Sequence, residues 1–408
     1  MGPLKGIRVL DLTTVLMGPL ATQTMGDFGA DVIKVEAPEG DIARHVGPSR
    51  HAGMGPLFLN ANRSKRSIVL DLKKPAGRNV VLRLAKNADV VVSNIRPLAM
   101  ARLGLSYEEF AKANPRIIYA ALVGFDQSGP YAERPAYDDL IQGGSCLAYS
   151  FSRAGLRPAY VPSAIADRFV GTAAVNAILS AIIERNESGL GQKVEVPMYE
   201  IMVSLVLGDH LGGLTYEPPL DKGGYARQLS PERRPYRTKD GYVCALIYTD
   251  GHWERFFKAI GRPDIPEADA RFTSFATRMA NIDEVYAELG RILLTKTTAE
   301  WLRLFLEADV PAMPMHSYES VLEDDHLKAT GFFRVVDHPS EGMLRSMAVP
   351  TRFSRTEVTP DRLAPQLGEH GRGILMEAGF GADQIDEMVT SGSLWVPAHD
   401  KTDGIWPK

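Results

Sequence analysis

An acidic residue within an apolar stretch is the first feature of this sequence that suggests chemistry. Asp167 lies in "VPSAIADRFVGTAAVNAILSAIIERNESGLGQ" (161–192), where its neighbours are mostly apolar or small. A carboxylate held in a partly dry pocket can attack an acyl carbon. The alternative is an ordinary acid in the first turn of a helix, favoured there by the helix dipole or paired with Arg168. Residue type alone leaves both interpretations open.

The spacing of the apolar residues around Asp167 predicts a helix over 163–186. Ser163 follows a proline and is of the right type to cap this helix, which places Asp167 about one turn inside it. Gly171 and Ala174 are small, so we expect another group to approach that face of the helix closely.

Alternating strand and helix patterns precede this helix. A covered parallel sheet is the usual result of repeated βαβ units, so the pattern predicts a doubly wound α/β domain. The predicted strands are 7–12, 30–36, 67–72, 88–95 and 116–125, and the predicted helices are 18–29, 76–87 and 138–150. A strand followed by a helix is expected within 192–214.

The pattern changes at 216–241, which is rich in Pro, Gly and charge, as linkers and flaps are. Beyond it we expect a strand at 242–249 and a smaller domain with helices. The predicted division is a large domain beginning with 1–224, a small domain at 225–330, and a C-terminal segment, 331–408, that completes the large domain. The predicted helices of the small domain are 251–260, 282–293 and 298–308.

Composition excludes several classes of function. The chain has 408 residues, 45% hydrophobic and 24% charged, with a net charge of −4, so we expect a soluble globular protein that binds neither nucleic acid nor membrane. Two cysteines, Cys146 and Cys244, form no disulfide framework, which favours a reducing cytoplasm. The nine histidines have no metal-ligand spacing, so no metal is expected.

Charged and turn-forming segments at strand ends are candidate ligand sites. The first strand-end turn, "TTVLMGP", lacks the GxGxxG pattern, so no NAD is expected and Glu36 is interpreted as a solvated strand end. The basic segment "NRSKRSIVLDLKK" (62–74) is either a solvated face or a docking surface for a polyanion such as a nucleotide phosphate. Arg96 and Arg102 follow another strand end, where α/β sheets bind ligands.

Several segments together resemble the class III CoA-transferases (CaiB/BaiF type). This family includes formyl-CoA and carnitine CoA-transferases and also the α-methylacyl-CoA racemases. The matching segments are "GIRVLDLTTVLMGPLATQTMGDFGADVIKVEAPEGD", "NRSKRSIVLDLK", "ADVVVSNIRPLAMARLGL", "NPRIIYAALVGFDQSGPYAERPAYDDLIQGGS", "ADRFVGTAAVNAILSAIIERNESGLGQKVEV" and "LGEHGRGIL".

The resemblance implies a Rossmann-like large domain, a smaller α+β domain and an interlocked homodimer. It places the nucleophile at Asp167 and lines the acyl pocket with Tyr137 and Asp138. Its CoA contacts fall on Leu16, Met17, Leu70, Lys73, Asn94, Ile95, Arg96 and Arg102. From the local sequence "IQGGS", the backbone N–H groups of Gly143 and Gly144 are expected to stabilise oxyanions in the same pocket. Two departures from the family are Ala37–Pro38 in place of a basic contact and the absence of a glycine-rich flap.

The resemblance implies CoA transfer through an aspartyl anhydride and an aspartyl-CoA thioester, with coenzyme A entering as acyl-CoA. The alternative is a racemase, but Tyr137 stands where racemases have a histidine, and no histidine occurs between His51 and His210. A CoA-binding scaffold without activity is a third possibility. The small residues Gly171 and Ala174 are then expected to leave room for substrate.

The substrates of such a transferase are not readable from these motifs. Four arginines are candidates to face a second carboxylate, which suggests a dicarboxylate pair; they are Arg168, Arg227, Arg233 and Arg234.

Overall fold

The computed structural model describes residues 2–397 of the chain. Its strands are β1 (Arg8–Leu12), β2 (Asp31–Glu36), β3 (Lys65–Leu70), β4 (Val90–Ser93), β5 (Ile118–Val123), β6 (Lys193–Pro197), β7 (Tyr236–Arg237), β8 (Tyr242–Ala245), β9 (Ala312–Pro314), β10 (Phe333–His338), β11 (Gly342–Met347) and β12 (Leu394–Trp395).

Helices connect most of these strands. They are α1 (Met17–Asp27), α2 (Pro56–Leu59), α3 (Pro75–Ala85), α4 (Pro97–Arg102), α5 (Tyr107–Ala113), α6 (Asp138–Gly144), α7 (Leu147–Arg153), α8 (Ile165–Ser188), α9 (Met198–His210), α10 (Asp250–Ala259), α11 (Ile265–Ala268), α12 (Phe275–Ala280), α13 (Ile282–Leu293), α14 (Thr298–Glu307), α15 (Asp325–Ala329), α16 (Gly371–Glu377) and α17 (Ala382–Thr390).

The large sheet has seven strands in the order β12-β3-β2-β1-β4-β5-β6. All neighbouring pairs are parallel except β12 with β3. Its central strands are continuous apolar runs because both faces of the sheet are covered. The strand order changes direction between β1 and β4, where a crevice forms at the carboxyl ends of parallel strands. The predicted α/β class with a large, mainly parallel sheet is therefore confirmed.

The chain forms two compact units, each discontinuous in sequence. The first contains residues up to 144, 161–203 and those from 329 onward, and it includes the large sheet. The second contains 145–160 and 204–328, with the β7-β8-β9 sheet and a core of packed aromatic rings that includes Trp253, Phe256 and Trp301. The borders at 224/225 and 330/331 stay predictions about domains.

The part of the basic segment that lies in β3, Lys65 and Arg66, is neither of the surfaces expected from its sequence. Lys65 is fully buried, and its Nζ lies 2.9 Å from Asp11 Oδ2. Arg66 pairs with Asp31 at 2.7 Å and with Glu377 at 2.8 Å. Pairing with acids on neighbouring elements makes this part of the segment a structural element, so it is neither a solvated face nor a free phosphate dock.

The predicted helix over 138–150 is wrong in one respect. Two helices, α6 and α7, occupy this stretch, and Cys146 between them has a φ of +69°. A left-handed residue cannot continue an α-helix, so the chain changes direction there. Similarly, the predicted strand 242–249 ends at Ala245.

The long helix α8 packs directly on α1. A Cβ added at Gly171 would lie 2.6 Å from the carbonyl oxygen of Met17 and 3.6 Å from Leu20 Cδ2. Ala174 is fully buried. The space beside these small residues is thus taken by protein, and the expectation that they leave room for substrate is wrong.

Helix α8 is also long and apolar enough, by length and composition alone, to cross a membrane; its most apolar window has a mean hydropathy of 1.3. In this structure, 44% of that window is buried inside the protein, as in the core helix of a folded domain.

The α1–α8 contact gives a stability prediction. Gly171→Ala should lower the free energy of unfolding by about 1–3 kcal/mol, because the new methyl group clashes with a backbone carbonyl. This loss should outweigh the gain of up to about 1 kcal/mol that alanine brings to a helix. Gly373→Ala is the control, since Gly373 in α16 is exposed and its Cβ would meet nothing within 4 Å. Urea unfolding of both variants measures the difference, and equal stabilisation would contradict the close contact.

Candidate active site

The turn after β1 has an unusual backbone. Val15 has a φ of +71°, a conformation that is rare for a β-branched residue. Its N–H donates to Asp41 Oδ1 at 3.0 Å. Lys34 Nζ holds the same carboxylate at 3.0 Å and also donates to the Thr13 carbonyl at 2.8 Å. The buried ion pair between Lys34 and Asp41 therefore fixes the conformation of this turn.

Asp11 is the centre of the charges beneath this turn. It accepts hydrogen bonds from Lys65 Nζ at 2.9 Å, Thr22 Oγ1 at 2.7 Å and the Thr13 N–H at 2.9 Å. Burial alone would raise the pKa of Asp11, but the positive charges of Lys65 and Lys34 and these hydrogen bonds hold it well below its usual range. Asp11 is thus ionised at neutral pH, as the partner of two buried lysines.

Glu36 is part of the same buried region and is not the solvated strand end expected from the sequence. It is 3% exposed and forms two hydrogen bonds of 2.7 Å with the Arg44 guanidinium. Burial opposes its ionisation, but the Arg44 and Lys34 charges lower the pKa of Glu36. The sequence did not predict this pairing, because the side-chain types of Glu36 and Arg44 do not show that the loop between them brings the two together.

Asn94 ties the β4 end to the β1 end. Its Oδ1 accepts from the Thr14 N–H at 3.0 Å, and its Nδ2 donates to the Thr14 carbonyl at 2.9 Å. The side-chain amide of Asn94 is therefore hydrogen-bonded to both backbone polar groups of one residue, Thr14, in the neighbouring turn. The contact of Asn94 with CoA stays a prediction, and the structure adds this contact with the neighbouring turn.

Asp167 lies in the first turn of α8, and its backbone is hydrogen-bonded to the side chain of Asp138. Its backbone N–H donates to Asp138 Oδ2 at 2.9 Å. The predicted cap at Ser163 is wrong, since Ala164 is the N-cap and makes no side-chain cap bond. A free N–H at a helix start can be satisfied by any nearby acceptor, and here α6 supplies it. Gln142 orients Asp138 by donating to its Oδ1 at 2.6 Å.

The Asp167 side chain is half-buried beside a second carboxylate. Burial raises its pKa, the negative charge of Asp138 raises it further, and Arg168 partly opposes the shift, which brings the pKa of Asp167 to about 6. The carboxylate is therefore basic for an aspartate and still ionised near pH 7.

A cavity of about 250 Å³ contains Asp167. Predicted site residues among its lining are Met17, Asn94, Arg96, Tyr137, Asp138 and Asp167. Its lining also includes Thr14, Val15, Pro97, Leu122, Val123, Gly124, Gln127, Ala132, Arg134, Pro135, Ala136 and Met198. The cavity opens at the carboxyl ends of β1, β4 and β5, at the change in strand order.

The other predicted site residues do not line this cavity. Leu16 and Leu70 are buried, and Ile95 packs against the core. Lys73 and Arg102 are exposed, so each is accessible to a ligand. Their contacts with CoA stay predictions.

Gly143 and Gly144 are exposed in the last turn of α6, outside the cavity lining. Their oxyanion role also stays a prediction.

Sequence reasoning missed Arg134 and Gln127. Arg134 precedes a proline after a strand, as Arg96 does, and this shared arrangement was the available signal. A residue before proline is held extended, which limits its backbone. Gln127 gave no signal, because its role depends on hydrogen bonds to Phe125 and Ala132 carbonyls that only the folded loop brings together.

Among residues 2–397, no cluster of three or more His, Cys, Asp or Glu side chains is arranged to hold a metal ion.

The raised pKa of Asp167 predicts a pH-dependent stability cost. An aspartate whose folded pKa exceeds its unfolded value disfavours folding once it ionises, so the cost is absent below about pH 4 and complete above about pH 6. Asp167→Asn should therefore be more stable than wild type at pH 8, by about 1–2 kcal/mol after allowance for solvent, and this excess should disappear near pH 4. Asp139→Asn, an exposed first-turn aspartate of α6, is the control for thermal unfolding at both pH values. A pH-independent difference would argue against the shift.

Known proteins match this chain along nearly its whole length. The model of CoA-transferase family III matches residues 4–371. A succinate–glutarate CoA-transferase of Agrobacterium fabrum is 34% identical over 92% of this chain and 95% of its own length. The succinyl-CoA:glutarate CoA-transferase of Mus musculus is 31% identical, covering 97% of this chain and 91% of its own.

A solved structure is also similar to this chain along most of its length. The crystal structure of a CaiB/BaiF family protein from Brucella suis superposes with a TM-score of 0.78 at 32% identity, covering 92% of this chain and 99% of its own. Family model, relatives and structure agree with the resemblance found in the motifs. The chain belongs to CoA-transferase family III.

Proposed function

We propose that this protein transfers CoA from an acyl-CoA donor to a carboxylic acid, with Asp167 as the nucleophile. The observation that carries the proposal is a half-buried carboxylate of raised pKa in a cavity at the carboxyl ends of parallel strands. A carboxylate is the only group such a transfer needs for covalent catalysis. Family membership supports a CoA thioester as the substrate.

The reaction proceeds in four displacements. An Asp167 oxygen attacks the thioester carbonyl, and CoA thiolate leaves to give an aspartyl–acyl anhydride. The thiolate attacks the Asp167 carbonyl carbon and releases the donor acid, which gives an aspartyl-CoA thioester. The acceptor carboxylate attacks that carbon and expels CoA thiolate. The thiolate then attacks the acceptor carbonyl of the second anhydride, which forms the new acyl-CoA and restores Asp167.

The environment of Asp167 suits the first step. Nucleophilicity of an oxygen anion rises with its pKa, so a carboxylate with a pKa of about 6 attacks faster than an ordinary aspartate and remains ionised at neutral pH. Asp138 contributes to this effect through its charge. It also holds the backbone of Asp167 in place, so the nucleophile and its activator are positioned by one contact.

The racemase alternative needs a second acid–base group beside the thioester. The described lining of the cavity contains no imidazole, and a phenol such as that of Tyr137 is a poor general base at pH 7. Asp138 already accepts hydrogen bonds from Asp167 and Gln142. These features favour acyl transfer over epimerisation.

The remaining elements of the proposal follow the family. CoA contacts are proposed at the exposed Lys73 and Arg102 and at Arg96, with the interlocked homodimer as the active form in the cytoplasm. An anhydride hydrolyses readily, so the proposed reaction requires that water be excluded from the site. The names of two relatives, a succinate–glutarate and a succinyl-CoA:glutarate CoA-transferase, support small dicarboxylic acids as substrates.

The central test is removal of the carboxylate. Asp167→Ala should keep its fold and lose CoA transfer by at least about 10⁴-fold, because no other covalent route remains. Incubation of wild type with succinyl-, formyl-, butyryl- and acetyl-CoA against a panel of acids, followed by mass spectrometry of new thioesters, measures transfer. Hydroxylamine added with acyl-CoA should label Asp167 of the wild type as a hydroxamate.

An active Asp167→Ala enzyme would falsify the proposal. Uptake of solvent deuterium at the α-carbon of a 2-methylacyl-CoA, without any acceptor acid, would support the racemase instead. CoA binding without exchange would indicate a non-enzymatic role.

The pH dependence gives a second test. The first displacement needs ionised Asp167, so the rate of acyl-enzyme formation should rise with pH to a plateau, with a midpoint near 6. Asp138→Asn removes the negative neighbour and should move the midpoint to lower pH. Stopped-flow measurement of thiolate release reports both midpoints; an unchanged midpoint in Asp138→Asn would show that Asp138 does not tune the nucleophile.

A further inference from the structure

A second cation of the cavity has a defined position but no acidic partner. Arg134 lines the cavity with Asp167, and among the described residues it forms no ion pair. Its guanidinium carbon lies 3.8 Å from the centre of the Tyr131 ring. Contact with an aromatic face leaves the edge of the planar group free to bind an anion.

A row of packed aromatic rings supports the Tyr131 ring that this arginine contacts. Tyr131 packs edge-on against Phe125, with ring centres 5.5 Å apart, and Phe125 packs against Tyr199 at the same distance. Tyr199 is in turn anchored by its N–H, which donates to the Gly124 carbonyl at 3.0 Å. A side chain fixed in this way loses little conformational entropy when it binds a ligand.

The loop that carries Arg134 is also braced internally. Gln127 Nε2 donates to the Phe125 carbonyl at 2.8 Å and to the Ala132 carbonyl at 3.3 Å, which joins the two arms of the loop. The Arg134 N–H donates to the Tyr131 carbonyl at 2.9 Å and closes a turn. Arg134 is thus carried beside the cavity by a loop with its own hydrogen bonds.

Arg134 is not among the charges that shift the pKa of the nucleophile, Asp167. The charges that move the pKa of Asp167 are those of Asp138 and Arg168. Arg96, the other arginine of the cavity, follows β4 and is a proposed CoA contact. Arg134 follows β5 and remains available for the acid. A cavity of about 250 Å³ is below the roughly 300–1,000 Å³ of sites for drug-sized ligands, so it suits a short acid.

The arginines expected from the sequence to face a second carboxylate are not among the described lining residues of the cavity, and their role stays a prediction. Arg168 is exposed on α8 and does not line the cavity. Arg227, Arg233 and Arg234 belong to the second compact unit, where Arg227 donates to Tyr225 and Tyr286 hydroxyls and Arg234 pairs with Glu232.

We propose that Arg134 binds the distal carboxylate of short dicarboxylic substrates and so selects diacids over monoacids. This inference rests on the proposed CoA transfer at Asp167 and adds the group that recognises the far end of the substrate. The reacting carboxylate lies at Asp167, and the second carboxylate receives hydrogen bonds from the Arg134 guanidinium. A monoacid of equal length leaves the guanidinium without this partner.

The test compares acids of equal chain length. Succinate and glutarate are paired with butyrate and valerate as acceptors, with acetyl-CoA as the common donor, and initial rates of new thioester give kcat and KM. Arg134→Gln should lower kcat/KM for the diacids about 10–100-fold, mainly through KM, because a charged hydrogen-bonding partner is lost. The monoacids should change less than about threefold.

Three further variants separate recognition from structure. Arg134→Lys should regain part of the diacid preference, and Tyr131→Leu should raise KM for diacids by freeing the guanidinium. Arg303→Gln, which changes an exposed arginine of α14, should behave as wild type. Circular dichroism and thermal unfolding confirm that each variant is folded.

The outcomes distinguish failure of the proposed role of Arg134 from failure of the proposed CoA transfer at Asp167. Equal loss for diacids and monoacids in Arg134→Gln, or a wild type without diacid preference, overturns the role of Arg134 while CoA transfer stands. A wild type that forms no new thioester with any acid, and no hydroxamate at Asp167, overturns the proposed function itself.

Discussion

A group of buried charges beneath the β1 turn is the constraint on which the cavity depends. Asp11, Lys34, Lys65 and Asp41 are all at most 1% exposed, and every one is paired. Removing one member would leave a buried charge uncompensated, which typically costs about 3–5 kcal/mol. Lys34 and Asp41 bind the carbonyl of Thr13 and the amide of Val15, respectively. The buried charges therefore fix the backbone of the turn that forms one wall of the cavity.

Two further contacts position the reactive group relative to that wall. Helix α8 approaches α1 so closely that a glycine is needed at position 171. This close packing fixes the distance between the first turn of α8, which carries Asp167, and helix α1. Asp138 then joins α6 to the same turn through the Asp167 N–H. The carboxylate is consequently held by packing on one side and a hydrogen bond on the other, while its own oxygens stay available to a substrate.

Much of this could be predicted from the sequence, but some features required the structure. The βαβ pattern predicted the parallel sheet because apolar strands and their turns are local signals. The motif series located Asp167, Asp138 and Asn94 in one region.

The errors share one physical cause. Lys65 and Glu36 were interpreted as surface or ligand-binding charges, although partners distant in sequence bury them. Gly171 was assigned to substrate for the same reason, since the helix that fills its space lies about 150 residues earlier. Arg134 was missed because its stacking on Tyr131 depends on loop conformation, which composition does not specify.

The proximity of Asp138 to Asp167 has a consequence for the chemical equilibrium. Two anions share this small region in the resting protein, and their mutual repulsion is part of what raises the pKa of Asp167. Under the proposed mechanism, acylation or thioester formation converts Asp167 to a neutral group and removes that repulsion. The resting state is thereby destabilised relative to both covalent intermediates. Relief of this repulsion therefore favours the first displacement, in which Asp167 is acylated, and opposes the last, in which its carboxylate is released.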